Sequence, residues 1–197
     1  MPFPVLKRQG SCRRAVLVLA LIGMAAGPAQ ASDAPDPPAH DFARGTRLLS
    51  ASVGASRDAD IGSIGVVHVG ADWYLRDNLA VHAGLTLGYA DPKTQPNGVY
   101  AGPQAGLRWH FMSGTDWSAY LDGLVAPVLH EHALTPQSLR FNFDLEGGVG
   151  VTRRVGAGLH LNGGLRWHHL SNARVRGKSR NLGYDAPLGY VGLLRNF

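Results

Sequence analysis

Apolar and polar residues alternate along most of this chain, which is the period-2 pattern of a β-strand with two different faces. The clearest run is Arg140 to Val151, where the odd-numbered residues are apolar or glycine and the even-numbered ones, such as Glu146, are polar, charged or glycine. This run exceeds the usual strand of a soluble sandwich and matches the roughly 9–11 residues of a tilted membrane crossing. We therefore predict that its apolar face contacts lipid and its charged face lines a lumen.

Eight such runs follow one another, and short connections of three to five residues alternate with longer ones of six to thirteen. Short periplasmic turns and longer external loops are typical of outer-membrane barrels, as are tryptophans near the strand ends. We predict an all-β fold, an eight-stranded antiparallel transmembrane β-barrel, rather than a soluble periplasmic β-sandwich. The predicted strands are Thr46–Ser56, Ser63–Leu75, Leu79–Tyr89, Val99–Phe111, Trp117–Leu129, Arg140–Arg153, Leu159–Ser171 and Asp185–Phe197.

The first residues have the composition of a secretory leader. Four basic residues precede the apolar run Ala15 to Ala26, which is too short to span a bilayer, and Ala29-Gln30-Ala31 supplies a small-x-small cleavage pattern. We predict a signal peptide over residues 1–31, a proline-rich periplasmic lead-in over 32–45 and the barrel over 46–197. The expected location is the outer membrane of a Gram-negative bacterium.

Charge and cysteine content argue against nucleic-acid binding and against thiol chemistry. The leader carries 4 of the 19 Lys+Arg residues and none of the 14 Asp+Glu, so the remaining chain has a balance of 15 − 14 = +1. Such a balance gives no reason to expect nucleic acid as a partner. The single cysteine, Cys12, lies in the leader, and we expect neither a disulfide nor thiol chemistry after cleavage.

The external end of the seventh strand carries two polar residues on its apolar face, His169 and Ser171. An imidazole and a hydroxyl facing lipid are costly unless they are paired. Residues i and i+2 of a strand project side by side, so His169 can take the Ser171 proton. Asp185 opens the last strand with the same odd parity as its lipid-facing residues, and it can hold the other ring nitrogen of the histidine.

These residues resemble a known family. His169-Leu170-Ser171-Asn172 matches the H-x-S-N pattern of the outer-membrane lipid A 3-O-deacylases (PagL-type), and Asn181 to Asp185 is similar to the family's N-x-G-x-acid segment, in which the acid is usually Glu. The resemblance implies that Ser171 is the nucleophile, His169 the general base, Asp185 the orienting acid and Asn172 an oxyanion donor. It also implies hydrolysis of the ester-linked 3-position acyl chain of lipid A (lipopolysaccharide) with no metal and no other cofactor.

Four basic residues lie between the two motifs: Arg174, Arg176, Lys178 and Arg180. They are either a solvated external charge run or a clamp for the phosphates of lipid A, since arginine offers paired donors to phosphate oxygens. His130-Glu131-His132 has a metal-like spacing, but we interpret it as part of a solvated external loop.

Even-numbered charged residues of the central strands point into the lumen in this register, and His168 has the same parity. We predict a structural ion-pair network there, formed by Arg108, Asp122, Asp144, Glu146 and Arg166.

Three functional hypotheses remain at this point. The first is a serine esterase acting on lipid A, with the His169–Ser171 pair as its centre. The second is a non-enzymatic small outer-membrane barrel with a structural or surface-binding role, in which that pair is merely polar and exposed at the rim. A narrow pore is disfavoured, because side chains fill the lumen of an eight-stranded barrel. The oligomeric state is left open, a homodimer included.

Overall fold

The computed structural model describes residues 41–181 and 183–197, and only the backbone of Lys178. Every strand pairs antiparallel with the next, and the first strand pairs with the last, so the sheet closes into an eight-stranded barrel as predicted. The predicted signal peptide and residues 32–40 of the predicted lead-in lie outside the described residues. The strands are β1 (Arg47–Asp58), β2 (Gly62–Arg76), β3 (Leu79–Pro92), β4 (Gly98–Ser113), β5 (Trp117–His130), β6 (Phe141–Gly156), β7 (Leu159–Ser171) and β8 (Tyr184–Asn196).

The two ends of the barrel differ in their connections. One end has only short turns, such as Asp77-Asn78 and Ala157-Gly158, and we call it the periplasmic end by the general rule for outer-membrane barrels. The other end has the longer loops, including residues 172–183 between β7 and β8, and is the external end. In the described part of the chain no helix is long and apolar enough to span a membrane.

Strand β6 shows the predicted division of faces. Leu145 and Val149 are 41% and 52% exposed on the outer wall, whereas Asp144 and Glu146 are 2% and 5% exposed in the lumen. This confirms the register read from the alternation, because a slip of one residue would reverse every side chain.

A network of buried charges crosses the lumen and joins Arg108, Asp122, Glu146 and Arg166, as predicted, whereas Asp144 contacts His168 instead of an arginine. Arg108 donates to Asp72 and Asp122, both at 3.1 Å. Arg166 donates to Asp122 at 2.7 Å and to Glu146 at 2.9 Å. Removing one partner of such a network would leave an uncompensated buried charge, which typically costs about 3–5 kcal/mol.

The periplasmic end is closed by residues that precede the first strand. Phe42 is 5% exposed and stacks on the His110 ring with a centroid distance of 3.8 Å. Its carbonyl accepts from Asn78 N at 2.8 Å, and Arg44 N donates to Asp77 Oδ1 at 2.8 Å. Residues 41–45, which the sequence predicts as part of the lead-in, therefore pack against the barrel.

At the external end, the interpretation of His130-Glu131-His132 as part of a solvated loop is wrong for His130. His130 is the last residue of β5 rather than a loop residue, is 2% exposed, and stacks on Tyr100 at 4.5 Å. Its even number continues the lumen-facing parity of β5, which explains its burial. His132 lies in the following loop and is exposed, as interpreted.

Candidate functional site

The polar pair at the end of β7 lies together on the outer side of the wall. His169 Nε2 and Ser171 Oγ are 2.9 Å apart. The two residues share a face because they are separated by two positions on an extended strand. The intervening Leu170 is 1% exposed and points into the lumen.

Asp185 lies directly across the β7–β8 ladder from His169. Its Oδ1 is 2.7 Å from His169 Nδ1. The short Asp side chain reaches the ring because the two residues are register partners on the same face, so no longer acid is needed to span the gap. The ring thus has one nitrogen at a carboxylate and the other at a hydroxyl.

Trp167 contributes a contact that sequence reasoning did not identify. Its indole Nε1 donates to Asp185 Oδ1 at 3.1 Å, so the same oxygen accepts from both Trp167 and His169. Trp167 lies two residues before His169 on the same face of β7, and this spacing is the sequence feature from which its contact with Asp185 could have been predicted. Its ring is 56% exposed, as expected of an interfacial tryptophan.

Asp58, at the end of β1, holds the chain around Asp185. Its Oδ2 accepts from the Asp185 backbone N at 3.3 Å, while its Oδ1 accepts from Asp60 N at 2.7 Å and Ile61 N at 2.9 Å. One carboxylate therefore ties the β1–β2 loop to the start of β8. Sequence alone gave no signal for this contact, because β1 and β8 become neighbours only when the barrel closes.

Asn172 organises the loop that follows Ser171. It is 1% exposed, its backbone N donates to Asn181 Oδ1 at 2.8 Å, and its side-chain Nδ2 donates to the Arg180 carbonyl at 2.5 Å. Its Oδ1 accepts from Arg174 N at 3.0 Å. These bonds join the two sequence motifs on either side of the loop, and they accompany left-handed backbone at Ala173 (φ 51°) and Arg174 (φ 60°).

The basic residues of the β7–β8 loop lie above this arrangement. Arg174, Arg176 and Arg180 have exposed side chains at the external end of the barrel. Lys178 begins a short 3-10 helix that ends at Arg180. The loop thus presents three exposed guanidinium groups between Ser171 and Asp185.

An apolar groove begins at His169 and continues across the outer wall over β6, β5 and β4. Its floor is made of small residues whose side-chain positions open outward, including Gly123 and Gly147. Gly147 pairs with Trp167 in the ladder, so the groove passes directly beside the polar pair. Larger side chains flank the floor: Leu107, Leu121, Val125, Leu145 and Trp167.

The side chains of His169, Ser171 and Asp185 differ in their exposure to solvent. The side chains of His169 and Asp185 are 33% and 47% exposed, whereas Ser171 is 7% exposed where β7 enters the loop. A serine bonded to an imidazole that is itself oriented by a carboxylate is the arrangement that activates hydroxyl nucleophiles. The site can therefore support acyl transfer from an ester presented at the outer wall.

Comparison with known proteins points in the same direction. A family model described as lipid A 3-O-deacylase (PagL) matches residues 60–193. No curated protein matches the chain.

Solved structures of outer-membrane barrels resemble the fold. The outer membrane enzyme PagL is 16% identical with a TM-score of 0.53, covering 74% of this chain and 97% of that one. The Pseudomonas aeruginosa protein OprG is 12% identical with a TM-score of 0.53, covering 80% and 98%. The N-terminal β-barrel domain of P. aeruginosa OprF is 13% identical with a TM-score of 0.51, covering 78% and 98%. At these identities the likeness shows a shared fold.

Proposed function

Because this chain belongs to the lipid A 3-O-deacylase (PagL) family, we propose that it hydrolyses the 3-position acyl ester of lipid A with Ser171 as nucleophile. The chain is an outer-membrane β-barrel enzyme of the lipid A deacylase class. The observation that carries the serine mechanism is the continuous Ser171–His169–Asp185 contact, with distances of 2.9 and 2.7 Å.

The reaction follows from this geometry. His169 Nε2 accepts the Ser171 proton as Oγ attacks the ester carbonyl, and Nδ1–H donates to Asp185 as the ring becomes charged. The tetrahedral intermediate collapses, His169 returns the proton to the leaving sugar oxygen, and an acyl-serine remains. Water then attacks the acyl-serine with His169 again as base, releasing the fatty acid and restoring Ser171.

We assign the stabilisation of the oxyanion to the loop around Asn172. One hydrogen of its Nδ2 is committed to the Arg180 carbonyl, and the second is the donor for the developing negative charge. The same side chain fixes the loop backbone, so the donor is held in place before the substrate arrives.

The groove beside His169 supports a lipid substrate that stays in the membrane. An acyl chain lying over Gly123 and Gly147 would extend along the outer wall at the depth of the neighbouring lipids. Lipid tails are as apolar as the groove, so selection rests on shape and close packing rather than on transfer from water.

The direct test compares purified protein with its Ser171→Ala and His169→Ala variants on lipopolysaccharide. We expect each variant to lose several orders of magnitude in the rate of 3-hydroxy fatty acid release. Ser113→Ala is the matched control, because Ser113 is exposed at the periplasmic end of β4. Full activity of Ser171→Ala would refute the serine mechanism, and release of the amide-linked chain, seen by mass spectrometry of the product, would refute the assigned position.

We further propose that Arg174, Arg176, Lys178 and Arg180 bind the lipid A phosphates. The supporting observation is that the loop carrying them joins Ser171 to the start of β8 and exposes three guanidinium groups. Replacing all four with glutamine should raise KM at least tenfold while kcat changes little, because the lost contacts bind substrate and transition state alike. If the unaltered protein cleaves phosphorylated and dephosphorylated lipid A with the same KM, these residues bind no phosphate.

A further inference from the structure

Four side chains converge in the lumen directly behind the proposed catalytic residues: His68 on β2, Asp144 and Glu146 on β6, and His168 on β7. Each residue is 5% exposed or less. One ligand atom each from Asp144, Glu146 and His168 lies within 4.8 Å of the others. His168 Nε2 is 3.1 Å from Asp144 Oδ1, and His68 Nε2 is 3.1 Å from Glu146 Oε1.

With protonated histidines these close approaches are ion pairs, but their angles fall outside those of a well-aligned hydrogen bond. In the described part of the chain, His68 Nε2, Asp144 Oδ1, Glu146 Oε1 and His168 Nε2 are all buried without a hydrogen-bond partner. Buried polar atoms that lack a well-aligned hydrogen bond are available to coordinate an ion.

The opposite nitrogens of both histidines are held by hydroxyl groups. His68 Nδ1 is 2.5 Å from Thr86 Oγ1, and His168 Nδ1 is 2.9 Å from Ser56 Oγ. Ser56 Oγ also bonds the Tyr184 hydroxyl at 2.8 Å, so it can donate there while it accepts from His168. Metal-binding histidines almost always donate their second N–H in this way, which leaves the lone pair of Nε2 free for the ion.

With neutral histidines, the charges of the lumen also favour a bound cation. The described buried residues include four carboxylates and two guanidinium groups. Arg108 and Arg166 pair with Asp72 and Asp122, and only one bond from Arg166 reaches Glu146. With neutral histidines the network has a charge of 2 − 4 = −2, which a single divalent ion would offset.

We propose that Asp144, Glu146 and His168 hold a divalent metal ion of the zinc type, and that His68, which lies outside this group of three but is 3.1 Å from Glu146, completes a tetrahedral site after a movement of its ring. Bonds of about 2.0–2.1 Å to nitrogen and oxygen place neighbouring ligands about 3.3 Å apart in a tetrahedron, close to the two 3.1 Å approaches. Two imidazoles and two carboxylates suit zinc better than magnesium or calcium, which take six or more oxygen ligands.

The position of the site gives the ion a structural role. Glu146 pairs with His168 in the ladder, and the next residues, Leu145 and His169, lie on the outer side of the same wall. The ion would link β2, β6 and β7 from the inside, at the level where His169 is presented outside. It would not contact the ester, because Ser171 and His169 face away from the lumen.

The experiment uses untagged protein refolded in detergent, so that no histidine tag supplies ligands. The protein is exposed to zinc chloride or to magnesium chloride, dialysed, and analysed for metal content by mass spectrometry. We expect one equivalent of zinc and no retained magnesium. Cobalt(II) in place of zinc should give the intense visible absorption of a tetrahedral complex.

Variants then locate the ion. His168→Gln and Glu146→Gln should each weaken zinc binding at least tenfold, whereas His160→Gln should keep one equivalent. His160 is the matched control, because it is a 1% exposed lumen histidine at the periplasmic end, paired with Asp41. Heat-dependent mobility on gels verifies that each variant barrel is folded.

Two results would overturn the proposal. One is unaltered protein that retains no zinc or gives only the weak spectrum of octahedral cobalt, and this result needs no variant to fold. The other is equal zinc binding by the folded His168→Gln and Glu146→Gln variants. Charge neutralisation by two protonated histidines would produce the first of these outcomes.

Discussion

Replacing Asp185 with alanine tests how strongly the half-exposed carboxylate supports the histidine. The change removes the acceptor that lies 2.7 Å from His169 Nδ1, and it leaves the Ser171 contact intact. A hydrogen bond to a charged group contributes about 1.5–3 kcal/mol. A charge pair about 4 Å apart contributes about 4 kcal/mol at an effective dielectric constant of about 20.

Exposure to solvent reduces the charge-pair energy. The side chains of Asp185 and His169 are 47% and 33% exposed, so headgroups and water screen the charge that forms on the ring. A combined loss of about 2–3 kcal/mol in transition-state stabilisation is reasonable. At about 1.4 kcal/mol per factor of ten, Asp185→Ala should lower kcat about 30- to 150-fold.

The assay is the release of 3-hydroxy fatty acid by folded, purified protein at saturating lipopolysaccharide. Asp185→Glu serves as the conservative variant, since it keeps the carboxylate and adds one methylene, and it should retain most of the rate. An unchanged kcat for Asp185→Ala would show that the 2.7 Å contact does not support catalysis. A loss as large as that of Ser171→Ala would show that screening by solvent is much weaker than assumed.

Two further substitutions test the surroundings of the site. Trp167→Phe removes one donor to Asp185 and keeps an aromatic ring, so kcat should fall about 3- to 10-fold. Trp117→Phe at the periplasmic end, outside the groove, should have no effect, and equal rates for the two variants would show that the indole N–H of Trp167 does not position the acid. Gly147→Leu places a side chain in open space beside Trp167, so kcat/KM for substrates with long acyl chains should fall more than for substrates with short ones. Gly189→Leu on β8 is the control and should lower kcat/KM equally little for both. If Gly147→Leu leaves the dependence of kcat/KM on chain length unchanged, the acyl chain does not bind in this groove.

The barrel could be predicted from the sequence because the alternation of apolar and polar residues and the length of the strands are local properties. Every predicted strand boundary lies within three residues of the observed one. The closest agreement is at Leu159–Ser171, where both boundaries match. Parity then determined which residues face lipid, and it brought His169, Ser171 and Asp185 to one side of the wall.

Contacts between residues far apart in the chain, and unusual local backbone conformations, could not be predicted in this way. Asp58 meets Asp185 only because β1 closes onto β8, and the distance of 127 positions along the chain gave no signal. Phe42 was assigned to a lead-in because its neighbours are proline-rich and polar, yet its ring fills the periplasmic opening. The arrangement of Asn172 with Asn181 depends on the left-handed backbone at Ala173, a non-glycine residue at which composition does not predict that conformation.

The two faces of β7 depend on the same register. His168 and Arg166 are buried in the lumen, while Trp167 and His169 lie between them on the outer wall. A shift of one residue would turn Arg166 toward lipid, which costs about 2–4 kcal/mol near the bilayer midplane, and would leave its carboxylate partners uncompensated in the lumen. The same shift would turn His169 and Ser171 inward, away from any lipid substrate. The buried ion pairs therefore contribute to activity without contacting the ester, because they disfavour the registers in which the proposed catalytic residues face the wrong side of the wall.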